Sequence, residues 1–122
     1  MSPLWRPRVI GFGGSALAGS GAVVRATYTV PTGKRAILVH AAGNIANNTG
    51  AVNTAIAEIY VNVAGAFSLV IGAENGGGAV TKYFYTDCYI DLLAADFVNL
   101  YSINNGAVAV FFHLDISVRE YL

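Results

Sequence analysis

His113 and Asp115 stand two residues apart, and His40 lies far from them in the chain. On a strand that spacing puts both side chains on one face, where they can supply two metal ligands or a base with the acid that orients it. No third ligand stands at a matching spacing, and the single cysteine, Cys88, does not complete the set. His113 therefore reads as a histidine at a subunit contact or a hydrogen-bonded edge. Asp87, Asp91 and Asp96 form the densest run of carboxylates, with Glu74 and Glu120 elsewhere. Paired carboxylates can hydrolyse glycosides or hold calcium. The chain has no D-x-D-x-D-G loop, and Asp87 and Asp96 fall at expected strand ends, where solvated acids are ordinary.

Other motifs reduce in the same way. Gly11-Phe12-Gly13-Gly14 and Gly76-Gly77-Gly78 lack the lysine and following helix of a phosphate loop. Ser15 and Ser20 have no base near them in sequence, so neither reads as a nucleophile. Asn47-Asn48-Thr49 is a formal glycosylation sequon and reads as a turn. Arg25, Lys34 and Arg35 form the only basic grouping outside the N-terminal segment, too few for a nucleic-acid footprint. Acidic groups of a neighbouring subunit are their expected partners. A lone cysteine excludes an internal disulfide and leaves the redox compartment open. The sequence thus assigns no catalytic, cofactor or metal residue, and an enzyme is its least supported class.

The chain is short of charge instead. Charged residues make up 11% of its 122 positions while 55% are hydrophobic, against about 25% charge in an ordinary soluble domain. A monomer of this size exposes roughly 6,200 Å², or one charge per ~450 Å². Much of the outside is therefore expected to be covered by copies of the chain or by partners. The formal net charge is zero, which removes the electrostatic drive toward nucleic acid or an anionic membrane. The apolar stretches fall short of the ~20 residues that cross a bilayer as a helix. Arg6 and Arg8 ahead of residues 9–24 look superficially like a secretion signal, but the run is mostly Gly, Ser and Ala.

These residues must be positioned by strands. Val, Ile, Tyr, Phe and Thr dominate the ordered stretches, and Gly, Asn and Pro punctuate them, a β-rich signature. The expected strands are 22–30, 35–46, 53–63, 66–72, 79–86, 88–93, 96–103 and 107–118, with Asn105-Gly106 as the strongest hairpin signal. Eight short antiparallel strands give an all-β, two-sheet sandwich of jelly-roll type. Residues 22–122 form that domain, and residues 1–21, rich in Gly with Pro3 and Pro7, form an extended N-terminal arm anchored by Leu4, Trp5 and Phe12.

Alternation assigns the faces. In the last strand Val108, Val110, Phe112, Leu114, Ile116 and Val118 share one side, and Phe111, His113, Asp115 and Ser117 share the other. In 53–63, Ala55, Ala57, Ile59, Val61 and Val63 point in, leaving Ile56, Glu58, Tyr60 and Asn62 outside. If Val98 and Leu100 point in, Phe97, Tyr101 and Ile103 point out; if Phe84 is in, Tyr83 and Tyr85 are out. Outward aromatics with few charges are what a subunit interface presents. The expected interface residues are Trp5, Phe12, Tyr60, Tyr83, Tyr85, Tyr101 and Phe111. Outward tyrosines, Tyr89 included, equally suit a carbohydrate- or receptor-binding module.

The run Tyr28-Thr29-Val30-Pro31-Thr32-Gly33-Lys34-Arg35-Ala36-Ile37-Leu38-Val39, followed by an Asn-rich loop from Asn44 to Asn53, resembles a pattern of small β-sandwich proteins in tailed bacteriophage particles. Leu92-Leu93-Ala94-Ala95-Asp96-Phe97-Val98 is similar to the turn of jelly-roll subunits, with Ala95 where that pattern often carries Gly. The resemblance spans roughly residues 28–122. It implies a virion protein without enzymatic activity: a head decoration or capsid-cementing subunit, or a tail or fibre module, commonly trimeric. Its implied partners are copies of itself and other virion proteins such as the major capsid protein, and no cofactor is implied.

Overall fold

The computed structural model, which describes residues 4–47, 55–75 and 80–121, is all β. Its eight strands are β1 (Trp5–Ala16), β2 (Gly21–Thr29), β3 (Arg35–Asn47), β4 (Ala55–Val63), β5 (Ala66–Asn75), β6 (Val80–Leu92), β7 (Phe97–Asn104) and β8 (Val110–Tyr121). They form two antiparallel four-stranded sheets, β1-β8-β3-β6 and β2-β7-β4-β5. Every connection except β4–β5 passes from one sheet to the other, the double Greek key of a jelly roll. Among the described residues no helix is long and apolar enough to cross a membrane.

Alternation builds the core. Val110, Phe112, Leu114, Ile116 and Val118 of β8 are buried against Ala55, Ala57, Ile59 and Val61 of β4 and Val98 and Leu100 of β7. In β3 an extra residue, Val39, shifts the pairing between Leu38 and His40. Ala36 and Leu38 therefore point inward before the bulge, and Ala41 and Ile45 after it. Gly43 sits directly opposite Phe84, and a Cβ there would run into the Phe84 ring and the His113 carbonyl. The ring of Phe84 fills the space that a side chain at position 43 would take.

The structure corrects the sequence reading in three places. Residues 5–16, expected as part of a free arm, are edge strand β1, paired with β8 from Trp5↔Tyr121 to Ala16↔Val110. An edge strand tolerates Pro7 because only one of its sides joins the ladder. Residues 79–86 and 88–93, expected as two strands, form the single strand β6, because Asp87 points outward to His40 and does not interrupt the ladder. Asn105-Gly106 is not a hairpin, since β7 and β8 lie in different sheets. The Asn104 side chain directs the crossing by donating to the Ala16 and Val108 carbonyls and accepting from Gly106 N–H. The one two-residue hairpin turn, Ala64-Gly65, has φ of 52° and 85° and joins β4 to β5. Asn48, Thr49 and the Gly76–78 loop lie outside the described residues, while Asn47 is fully buried.

Candidate interaction surface

The groups that could do chemistry are dispersed. His113 Nε2 lies 3.0 Å from Asp115 Oδ2, and His40 Nδ1 lies 2.8 Å from Asp87 Oδ1. Both pairs stand on the outer face of β1-β8-β3-β6, with the Asp115–Ala42 row between them. Among the described residues no three His, Cys, Asp or Glu side chains are arranged to hold a metal, and no cavity indents the surface. Cys88 is half-buried, its thiol directed at the Leu38 carbonyl. Burial, then the Asp87 charge, pushes that thiol up, which suppresses the thiolate. Asp96 is a turn organiser: its carboxylate accepts from the Leu93 and Ala64 N–H groups, tying the β6–β7 turn to the β4–β5 hairpin. Ala95 beside it has φ 76°, the left-handed geometry that glycine would hold without strain.

Glu120 is the buried charge that sequence reasoning passed over. Its even number continues the inward set of β8, and a carboxylate at an inward position needs partners. It is 1% exposed and accepts from Arg6, from Lys34 at 3.1 Å and from the Tyr28 hydroxyl at 2.7 Å, with Arg8 at 3.7 Å. Burial alone would raise its pKa, but the bonds from Tyr28, Arg6 and Lys34 outweigh that and bring it to about 2. Burial and the same bond keep the Tyr28 hydroxyl protonated. Strands β1, β2 and β8 and the β2–β3 turn are fastened at this one carboxylate. Lys34 is thereby committed within its own chain, not to a neighbour.

The two outer faces differ in kind. That of β1-β8-β3-β6 carries both histidines together with Arg35, Asp87, Asp91, Asp115 and Arg119. That of β2-β7-β4-β5 begins with the rows Thr29, Phe97, Asn62, Phe67 and Thr27, Asn99, Tyr60, Leu69. The rows Val24, Tyr101, Glu58, Gly72 and Ala22, Ile103, Ile56, Glu74 complete it. Glu58 and Glu74 are its charges, and no described cation lies on it. Tyr60 and Tyr101 meet edge to face at 5.7 Å, as do Phe67 and Phe97. Four strands and seven residues of length give this face about 450 Å² in projection, the size at which an apolar patch on a monomer usually has a function.

The residues expected at an interface thus fall in different places. Tyr60 and Tyr101 lie on the apolar face. Tyr83 and Tyr85, 73% and 74% exposed, stand on the outer side of edge strand β6 with Tyr89 at 68%. Phe111 is on the same outer face, and Trp5 lies at its corner beneath Arg119. Phe12 faces its own core, with the Arg25 guanidinium over its ring at 5.2 Å.

No protein-family model matches the chain, and no curated protein matches its sequence. Solved structures match its fold. VP2 of the infectious bursal disease virus subviral particle is similar with a TM-score of 0.53 at 11% identity, over 93% of this chain and 33% of that one. The infectious bursal disease virus Gx strain gives 0.50 at 12%, over 95% and 36%. Dimeric latent PorU from Porphyromonas gingivalis gives 0.54 at 9%, over 97% and 13%. The chain spans about a third of the viral proteins it matches and less of PorU. At these identities the likeness shows a shared two-sheet fold.

Proposed function

We propose that this chain is a structural subunit of a virus particle. In its finer form the proposal is a capsid decoration or cementing subunit of a bacteriophage, which assembles as a trimer and binds other virion proteins at the particle surface. It has no catalytic step. The observation that carries it is the outer face of β2-β7-β4-β5, apolar, aromatic and without a described cation on a chain that has no charge to spare. A standard interface takes ~800 Å² per partner, and the adjoining edge strand β5, uncharged over residues 66–73, extends the patch toward that size. The shared fold with proteins of viral particles and the resemblance at residues 28–39 support the same reading. Many weak copies on one shell also gain by avidity. The test is the mass of the purified protein in solution. Three chains per particle are expected, and a single copy at tens of micromolar would refute the reading.

A second reading attaches to β6, whose Tyr83, Tyr85 and Tyr89 present open rings beside Asn44 and the His40–Asp87 pair. Exposed rings with adjacent hydrogen-bonding groups suit stacking on sugars. A glycan array tests it, and the absence of any binder removes it.

A further inference from the structure

We infer that the chain assembles head to tail, the outer face of β2-β7-β4-β5 on one copy receiving the β1–β8 corner of the next, with Arg35 and Arg119 opposite Glu58 and Glu74. This rests on the self-assembly proposed above and specifies its geometry. Glu58 and Glu74 make no ion pair within the described residues; Glu58 accepts a hydrogen bond from Tyr60 and nothing printed neutralises either charge. Two copies of this face set against each other would bring four carboxylates together on an apolar ground, an arrangement like-charge repulsion opposes. The occupant must instead be apolar and bring cations.

One patch of the same chain fits that description. At the β1–β8 corner Trp5, Tyr121 and Arg35 stand in register, with Leu4 and Val9 exposed beside them. Arg119 makes no ion pair among the described residues, and its guanidinium lies 4.9 Å over the Trp5 ring. Arg35 lies 5.8 Å from the Tyr121 ring and reaches Asp91 only at 3.7 Å between exposed side chains. The other cations are placed elsewhere. Arg6, Arg8 and Lys34 hold Glu120, Arg25 is bonded to Ser102, and Lys82 shares the inward parity of Phe84.

The spacings also agree. Glu74 lies two residues along β5 from Gly72, the partner of Glu58. Arg35 lies two residues along β3 from Ile37, the partner of Arg119. Each is a diagonal pair about 7–8 Å apart, so one pair can oppose the other. Joining two different patches makes the contact heterologous, which closes into a ring when the rotation per copy allows it.

Mixing tests the geometry. In one variant Glu58→Lys and Glu74→Lys block the face; in the other Arg35→Glu and Arg119→Glu block the corner. All four side chains point outward, and circular dichroism with a thermal melt checks that both variants fold. Each alone is expected to be a monomer by light scattering, because every contact then pairs like charges. An equimolar mixture is expected to form a species of two chains, since one blocked face and one blocked corner leave a compatible pair. The fourfold variant carrying both swaps is expected to regain the wild-type mass. Variants that stay fully assembled alone, or a mixture that stays monomeric while the wild type assembles, overturn the head-to-tail contact and leave self-assembly standing. A monomeric wild type overturns both.

Discussion

Replacing Glu120 with glutamine isolates the carboxylate at which four segments meet, since glutamine keeps the shape and can still accept from Tyr28. The drop in pKa from 4.5 to about 2 corresponds to about 3 kcal/mol of stability. Removing one partner of a buried ion pair typically costs ~3–5 kcal/mol. The low end applies, because Arg6 and Arg8 are half-exposed and recover water when their partner is gone. The expected loss is therefore about 3 kcal/mol at pH 7, a fall in Tm of roughly 10–15 °C for a domain of this size. The pH dependence carries the sign. A carboxyl whose pKa falls on folding contributes its full stability above the unfolded value and loses it as pH drops through the folded one. The gap between wild type and Glu120→Gln should hold from pH 7 to about 5, then close between about 4.5 and 2. Urea unfolding of both proteins at pH 7, 5 and 3 reads it directly, and the difference cancels the other carboxylates. A loss under ~1 kcal/mol at pH 7, or a gap that does not narrow in acid, refutes the view that Glu120 is a charged fastener.

Three further outcomes follow from local geometry. Ala95→Gly should raise stability by about 1 kcal/mol, because alanine at φ 76° carries strain that glycine does not; an unchanged or lower Tm contradicts this. Gly43→Ala should destabilise by roughly 2–3 kcal/mol, since the new methyl meets a backbone carbonyl that cannot step aside. Urea titration checks it, and a neutral result would mean that β3 and β8 separate more easily than their pairing implies. Cys88 should react with a thiol reagent at least severalfold more slowly in the native protein than in urea, given its half-buried, raised thiol. Equal rates would show the site to be open.

Where side chains alternate, the sequence reading and the structure agree. The inward set of β8 and the inward Ala-Ala-Ile-Val series of β4 could be read directly, because each large apolar residue has a polar or small neighbour on the other face. β1 could not, since its glycines mask the period and Pro7 argues against a strand unless it lies at an edge. Ile10, Phe12 and Ala16 did carry the even-numbered signal. The β7–β8 crossing failed as a hairpin because a side chain, Asn104, overrides local turn preference. Glu120 was legible in principle: it is the charged residue that breaks the apolar parity of β8. Which outer face would be apolar was not, since that depends on which strands share a sheet.

That partition gives the sparse charge its meaning. Of seven cations, five gather around the β1–β8 corner and the β2–β3 turn, and none lies on the outer face of β2-β7-β4-β5. A chain that needed only to stay dissolved would spread so few charges over both faces, since solubility depends on leaving no large apolar patch. Here three cations are spent on one buried carboxylate, and an edge strand is left bare of charge over residues 66–73. Bare edges and apolar faces invite uncontrolled pairing unless something occupies them. The acidic pair Glu58 and Glu74 then acts as a filter, rejecting a second copy of its own face while admitting a surface that carries cations. Selectivity of this sort requires few charges, provided that each is placed where the wrong partner would meet its own sign.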